Sequence, residues 1–171
     1  MIGKIDVRQI VADHFATLID ENTKQRSGLD FILFVIVPIL IASTFLFFDL
    51  ILGKSISNVL ITALAVFAGL LFNLLLLIFD IANKPRPEDE RLDALKLRFL
   101  KEIYSNIAYA IFIALLTIVN LLIHFLFLSL NNRAGQIFTA FTVYILSGNF
   151  ILTLFMVLKR IHILLATEFK E

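Results

Sequence analysis

The chain contains no cysteine. Disulfides, thiolate metal sites and cysteine nucleophiles are excluded together, and the redox compartment is left open. It also carries little charge: Asp, Glu, Lys and Arg make up 17% of 171 residues, against 60% in the apolar set. Soluble domains run to about 25% charged and about 45–50% apolar residues, so an ordinary water-soluble domain is excluded too. The charges nearly cancel, to a net of +1, which argues against electrostatic binding of nucleic acid, and no direct nucleic-acid contact is expected. No HExxH, GxSxG, P-loop or EF-hand spacing occurs. His14, His124 and His162 are far apart in the chain. A non-enzymatic protein without cofactor or metal site is therefore expected, and the length suits one domain.

What the chain does have is long apolar runs. Four can supply the roughly 20 helical residues that cross a hydrocarbon core: about 31–52, 56–79, 104–130 and 137–158. Their Leu, Ile, Phe and Val follow without two-residue alternation, which excludes an outer-membrane barrel. A backbone in lipid must satisfy itself, so each run is expected to be helical. The fold class is thus all-α, a polytopic membrane protein whose residues 1–171 form one membrane domain. The first run is too long for a signal-peptide core, begins about 30 residues in and lacks a small-x-small site, so it is expected to stay. Pro38, near its middle, is expected to kink it.

The basic residues are distributed unevenly. Lys4, Arg8, Lys24 and Arg26 precede the first run, and Lys84, Arg86, Arg91, Lys96, Arg98 and Lys101 lie between the second and third. Lys159, Arg160 and Lys170 follow the fourth, whereas the other two connections hold only Lys54 and Arg133. This bias predicts that both termini and the central connection are cytoplasmic, in a multi-pass membrane protein.

The predicted cytoplasmic parts have apolar faces. Within residues 1–27, Val7, Ile10, Val11, His14 and Leu18 recur at helical spacing opposite Asp6, Gln9, Asp13 and Asp20. Interfacial helices that bind anionic lipid usually carry Lys and Arg on the polar face. Acids outnumber bases here, so docking on protein is favoured over lipid, either on this chain's tail or on a partner. In the 81–103 connection, Asn83-Lys84-Pro85-Arg86-Pro87 stops one helix and Glu88, Asp89 and Glu90 favour the start of the next. Leu92, Leu95, Phe99, Ile103 and Asn106 then share a face, predicting one helix from about Glu88 to Leu130. In the 159–171 tail, Ile161, Leu164, Leu165 and Phe169 continue the fourth helix. Val7, Val11, Leu18, Leu92, Leu95, Phe99, Ile161 and Leu165 are the candidate surface for a cytosolic protein, with a local helical bundle as the alternative.

No acidic or basic residue lies near the middle of any run, which disfavours a proton- or ion-coupled transporter. The runs instead carry neutral polar stripes at 100° per residue. They are Asn58, Thr62, Ala65, Gly69, Asn73 and, near the inner end, Asp80 in the second run, and Asn106, Ala110, Thr117, Asn120 and His124 in the third. Thr139, Thr142, Asn149 and Thr153, beside Ser147-Gly148, form that of the fourth. Helix–helix contact explains such stripes. Alternatively, Asn58, Thr62, Asn73, Thr117, Asn120, His124, Thr142, Asn149 and Thr153 line a polar interior or pore in a homo-oligomer. His124 is the one ionisable group read as lying well inside a run. The first run, with only Ser43 and Thr44, is the expected lipid-facing helix.

Leu100-Lys101-Glu102-Ile103-Tyr104-Ser105-Asn106 leads into the third run, and Leu158-Lys159-Arg160-Ile161-His162 leaves the fourth. With these features, the layout resembles the small four-helix membrane subunits of bacterial anti-phage defence systems, of the Kiwa membrane-subunit type, with the Hailong membrane effector as a second comparison. The resemblance is one of layout and carries no functional residue across. It implies an oligomeric inner-membrane protein that works with a cytosolic partner in responding to infection. A channel or pore-forming effector gated from the cytoplasm is the alternative, and a small transporter comes third.

Overall fold

The computed structural model of the chain describes residues 7–18, 32–83 and 90–168, with side chains described except at 90–96 and 164–168. Its regular structure is all helical: α1 (Arg8–Ala16), a π-helical turn (Ile32–Ile36) running into α2 (Val37–Phe47), then α3 (Lys54–Ala82), α4 (Glu90–Ser129) and α5 (Arg133–Glu168). Lys54–Ala82, Leu97–Ser129 and Arg133–Ile163 are long and apolar enough to cross a membrane, and Ile32–Phe47 is a shorter apolar helix. The single helix expected across the central connection and third run is α4. The expected continuation of the fourth run is the far end of α5. Residues 1–6 and 19–31 of the N-terminal segment and 84–89 of the central connection lie outside the described residues, as do the side chains of Leu92, Leu95 and Leu165.

The first run departs from expectation. Its apolar length predicts a helix over 31–52, but α2 ends at Phe47. Asp49 adopts φ 57°, a left-handed conformation that Asp tolerates better than most residues. Leu50 N–H then donates to the Phe45 carbonyl at 2.9 Å and Asp49 N–H to that of Leu46 at 3.0 Å, the paired bonds of a Schellman stop. Asn131, at φ 51°, closes α4 in the same way. The Asn132 side chain then caps α5 by accepting from Gly135 N–H at 3.0 Å. At Pro38 the chain does not simply kink. Proline lacks an N–H and crowds the carbonyl four residues back. The wider π turn immediately precedes it, and Pro38 falls in the first turn of α2.

Packing is organised on α4, which lies against α1, α3 and α5, while α2 lies against α5. The buried positions of α4 include Leu100, Ile103, Ile107, Ala110, Ala114, Thr117, Leu121 and His124. Their steps alternate three and four, the spacing that seats side chains as knobs into the holes of a neighbouring helix. Ser57, Leu64, Ala68, Leu71 and Ile78 give α3 a matching seam, and Gln136, Ala140, Val143, Phe150 and Val157 do so for α5. Lipid tails are as apolar as Leu, so close fit rather than escape from water must hold such helices together. The fully buried Ala110 and Ala114 let neighbouring backbones come near.

α2 makes a narrower contact. Phe34, Pro38 and Ala42 are its buried line, one residue per turn. Gly148 of α5 receives Pro38: a Cβ on Gly148 would stand 3.2 Å from the Pro38 Cβ. Most of the other large side chains of α2 are exposed, Phe47 at 85%. Replacing Gly148 by Leu should therefore prise α2 from α5 at a cost of about 1–3 kcal/mol. Thermal unfolding in detergent should show a lowered Tm for Gly148→Leu and little change for Leu126→Ala, whose side chain is exposed. An unchanged Tm for the former would refute the close contact.

Candidate functional site

The helix ends nearest α1 hold the densest polar cluster in the described structure. The three- and four-residue spacing of α1 puts His14 on its inner face, where it is fully buried. Its ring stacks on Tyr109 of α4, with centroids 3.7 Å apart and planes at 3°. Phe34 meets it edge-on at 5.5 Å. The Nδ1–H of His14 donates to Asn106 Oδ1 at 2.8 Å, and that amide oxygen fixes the tautomer because it can only accept. Thr17 Oγ1, three residues on, lies 2.7 Å from the His14 carbonyl and 3.0 Å from Asn106 Oδ1. His14 Nε2 and Asn106 Nδ2 are buried without a protein partner.

An ion pair secures the end of this helix. Arg160 of α5 bonds Glu102 of α4 through Nη1, while its Nη2 donates to the Thr17 carbonyl at 2.9 Å. A guanidinium at the C-terminal end of α1 also complements the helix dipole. Arg98 adds a second contact to Glu102 at 3.4 Å, four residues apart on one helix. One cluster thus joins α1, α4 and α5. Alongside it runs a groove of about 510 Å³ between the π turn, α4 and α5. No group of three or more His, Cys, Asp or Glu among the described residues is placed to hold a metal ion.

The second histidine ties the opposite helix ends. His124 is fully buried; its Nε2–H donates to the Leu52 carbonyl at 2.9 Å, and Thr139 Oγ1 lies 2.6 Å from Nδ1. Tyr144 donates to the Leu50 carbonyl at 2.7 Å, and Arg133 pairs with Asp49. The short connection between α2 and α3 is thereby held by α4 and α5. His124 stands five residues from the end of α4, roughly 7–8 Å along the axis.

The other candidate positions separate. Thr117 and Thr153 are buried and Asn120, Thr142 and Asn149 half-buried on α4 and α5. Thr117, Thr142 and Thr153 each return a hydroxyl bond to the carbonyl four residues back. On α3, however, Asn58, Thr62 and Asn73 are all exposed, with Gly69 between them. Within one chain the interior is built by α4 and α5, and α3 turns its polar stripe outward. The residues expected to line a polar interior in an oligomer are thus split within one chain, with Asn58, Thr62 and Asn73 facing outward. Of the candidate partner surface, Leu18 is buried, Val11 and Ile161 pack on this chain's own core and Phe99 lines the groove, while Val7 is exposed. The residues that sequence reasoning passes over are Tyr109, Glu102, Thr17 and Arg160. Glu102, Asn106 and Tyr109 share a face by their spacing, but nothing in that spacing names His14 as their partner. Compared with known proteins, the chain matches no family model, no curated protein and no solved structure.

Burial holds the His14 imidazole down to a pKa of about 4 from its ordinary 6.5, with the Asn106 bond opposing and the Arg160 charge reinforcing the shift. The docked form therefore favours neutral His14. Its contribution to stability is full above pH 6.5 and is lost as pH falls toward about 4. The two values imply at most about 3 kcal/mol. Hydrogen exchange, corrected for intrinsic rates, should show amides 8–18 protected at pH 7.5 and much less so at pH 4.5. His14→Gln should flatten that dependence. Equal protection at both pH values in the unsubstituted chain would exclude His14 as the determinant of docking.

Proposed function

We propose that the protein is a non-enzymatic, homo-oligomeric subunit of the bacterial inner membrane, with its α1 end in the cytoplasm. There it holds a soluble protein partner, in the manner of the membrane subunits of anti-phage defence systems. The observation that carries the reading is the outward stripe of α3. Asn58, Thr62, Gly69 and Asn73 are exposed on a helix long and apolar enough to cross a membrane. An amide facing hydrocarbon lacks the hydrogen bonds that water would give it. Thr62 returns a bond to its own helix, to the Asn58 carbonyl at 3.0 Å. Ala65 and Gly69, four residues apart, lower the same surface so that another helix can come close. A second copy of α3 on this face supplies both amide partners and close packing.

The charge distribution supports the orientation. The basic residues outside the apolar runs are concentrated on one side, which the positive-inside rule makes cytoplasmic. α4 begins at Glu90 and α5 continues to Glu168, beyond the apolar runs 104–130 and 137–158 on that same side. That leaves the greater part of the polar surface facing the cytoplasm, where a soluble partner would be met.

The absence of native cysteine makes a direct test clean. A lone cysteine at Thr62 should cross-link between copies in native membranes. One at Leu70, exposed on the same helix but about 95° around it from the stripe's centre, should not. Asn73→Leu should weaken the Thr62→Cys cross-link several-fold. A monomer in mild detergent, together with no Thr62→Cys cross-link in membranes, would sink the oligomer reading.

A further inference from the structure

We propose that the groove beside Arg160 is a binding site for one phospholipid with an anionic headgroup, seated with its phosphate at Lys159 and an acyl chain along the wall of α5 and the π turn. The groove holds about 510 Å³, within the roughly 300–1,000 Å³ of ordinary ligand sites. Its walls are apolar, among them Leu33, Phe34, Leu152 and Phe155. Leu33 and Phe155 are also exposed on the outer surface, so the groove opens sideways, where a bilayer would lie. Its other end is polar. Arg160 and Glu102 neutralise each other there, and Arg98 also contacts the same carboxylate. Lys159 is exposed and lines the groove without a carboxylate partner among the described residues. The groove lining therefore has apolar walls and, from Glu102, Arg160 and Lys159, a net charge of +1 just past the apolar run 137–158 of α5.

That combination selects an anionic amphiphile. A zwitterionic headgroup would bring its own cation to Lys159. A free phosphate would leave the apolar walls unfilled. The lysine stem can lie along the wall while its ammonium reaches the headgroup level. The Arg160 guanidinium is already committed to Glu102 and to the Thr17 carbonyl, so it fixes the inner end of the groove rather than contributing net charge. The inference requires the three long helices to lie in a bilayer but does not depend on the oligomeric reading.

The chain has no tryptophan, so Phe155→Trp provides a single fluorescent reporter in the groove. The full chain carrying it is reconstituted in phosphatidylcholine vesicles containing about a tenth phosphatidylglycerol, with bromine on the acyl chains of one lipid or the other. Brominated phosphatidylglycerol should quench the Phe155→Trp reporter well beyond its share of the lipid. Lys159→Gln should reduce that preference about fivefold, and Lys159→Arg should keep most of it. Leu158→Trp, adjacent in sequence and not a wall of the groove, should be quenched in proportion to composition. Quenching of the Phe155→Trp reporter in proportion to composition, or a preference untouched by Lys159→Gln, would overturn the site. Abolition of the preference by millimolar inorganic phosphate would likewise overturn it, by showing that the headgroup alone is recognised. An unaltered helical circular-dichroism spectrum for each variant separates loss of the site from loss of the fold.

Discussion

The fold rests on one face of α4. In an apolar environment helices gain nothing by hiding oily side chains from one another, so attraction must come from fit. A seam of alternating three- and four-residue steps from Leu100 to His124 provides that fit along most of the helix. α3 and α5 meet α4 through seams of the same period, and α2 reaches the bundle through α5. α1 then lies against the portion of α4 nearest Asn106 and Tyr109. Any change that shifts α4 along its axis would break its registers with α1, α3 and α5 at once. The small buried residues Ala110, Ala114 and Thr117 occupy the middle of the seam, where the closest approach is set.

Polar groups are concentrated at the two ends of this seam, and at each end a histidine makes the tie. His124 reaches the Leu52 carbonyl, a group that an irregular connection leaves without an intrahelical donor. His14 reaches Asn106 from a separate helix and stacks on Tyr109. The two differ in how completely they are satisfied. Both nitrogens of His124 face hydrogen-bonding atoms, whereas Nε2 of His14 is buried with none. A proton added there would create a charge whose new donor has no protein acceptor, near the cation of Arg160. The α1 contact is therefore conditional on a neutral His14 imidazole.

The positions of α3, α4 and α5 were legible because apolar run length and helix punctuation are local properties. Asn83 ends α3 just before the Pro-containing segment, and the helix expected after that segment is α4. The first run misleads for an equally local reason. Its hydrophobicity continues through Leu52, but Asp49 can turn left-handed and stop the helix earlier. The polar stripes are visible as stripes, yet periodicity fixes only angular position on a helix. Which direction that angle faces depends on where the neighbours stand, and α3 has its neighbour on the side of Leu64, Leu71 and Ile78. The His14–Asn106 bond spans 92 residues of sequence, and no spacing rule reaches across that distance.

The docking of α1 also constrains the proposed binding of a soluble partner. An amphipathic helix in a membrane subunit invites the idea of a free recognition element. Here its inner face is already engaged: His14 and Leu18 are buried, and Ile10 and Val11 pack on the core. A partner can therefore use the outer side of α1 or the projecting ends of α4 and α5 without disturbing the fold. To use the inner face it must first displace the helix. Displacement would free the Thr17 carbonyl from Arg160 and uncover Asn106 and Tyr109 on α4. Arg160 of α5 would keep its pair with Glu102 of α4 and lose its second bond, the one to Thr17. A partner of the proposed kind that displaced α1 would thus act on α5 at Arg160, the residue that also ties α5 to α4.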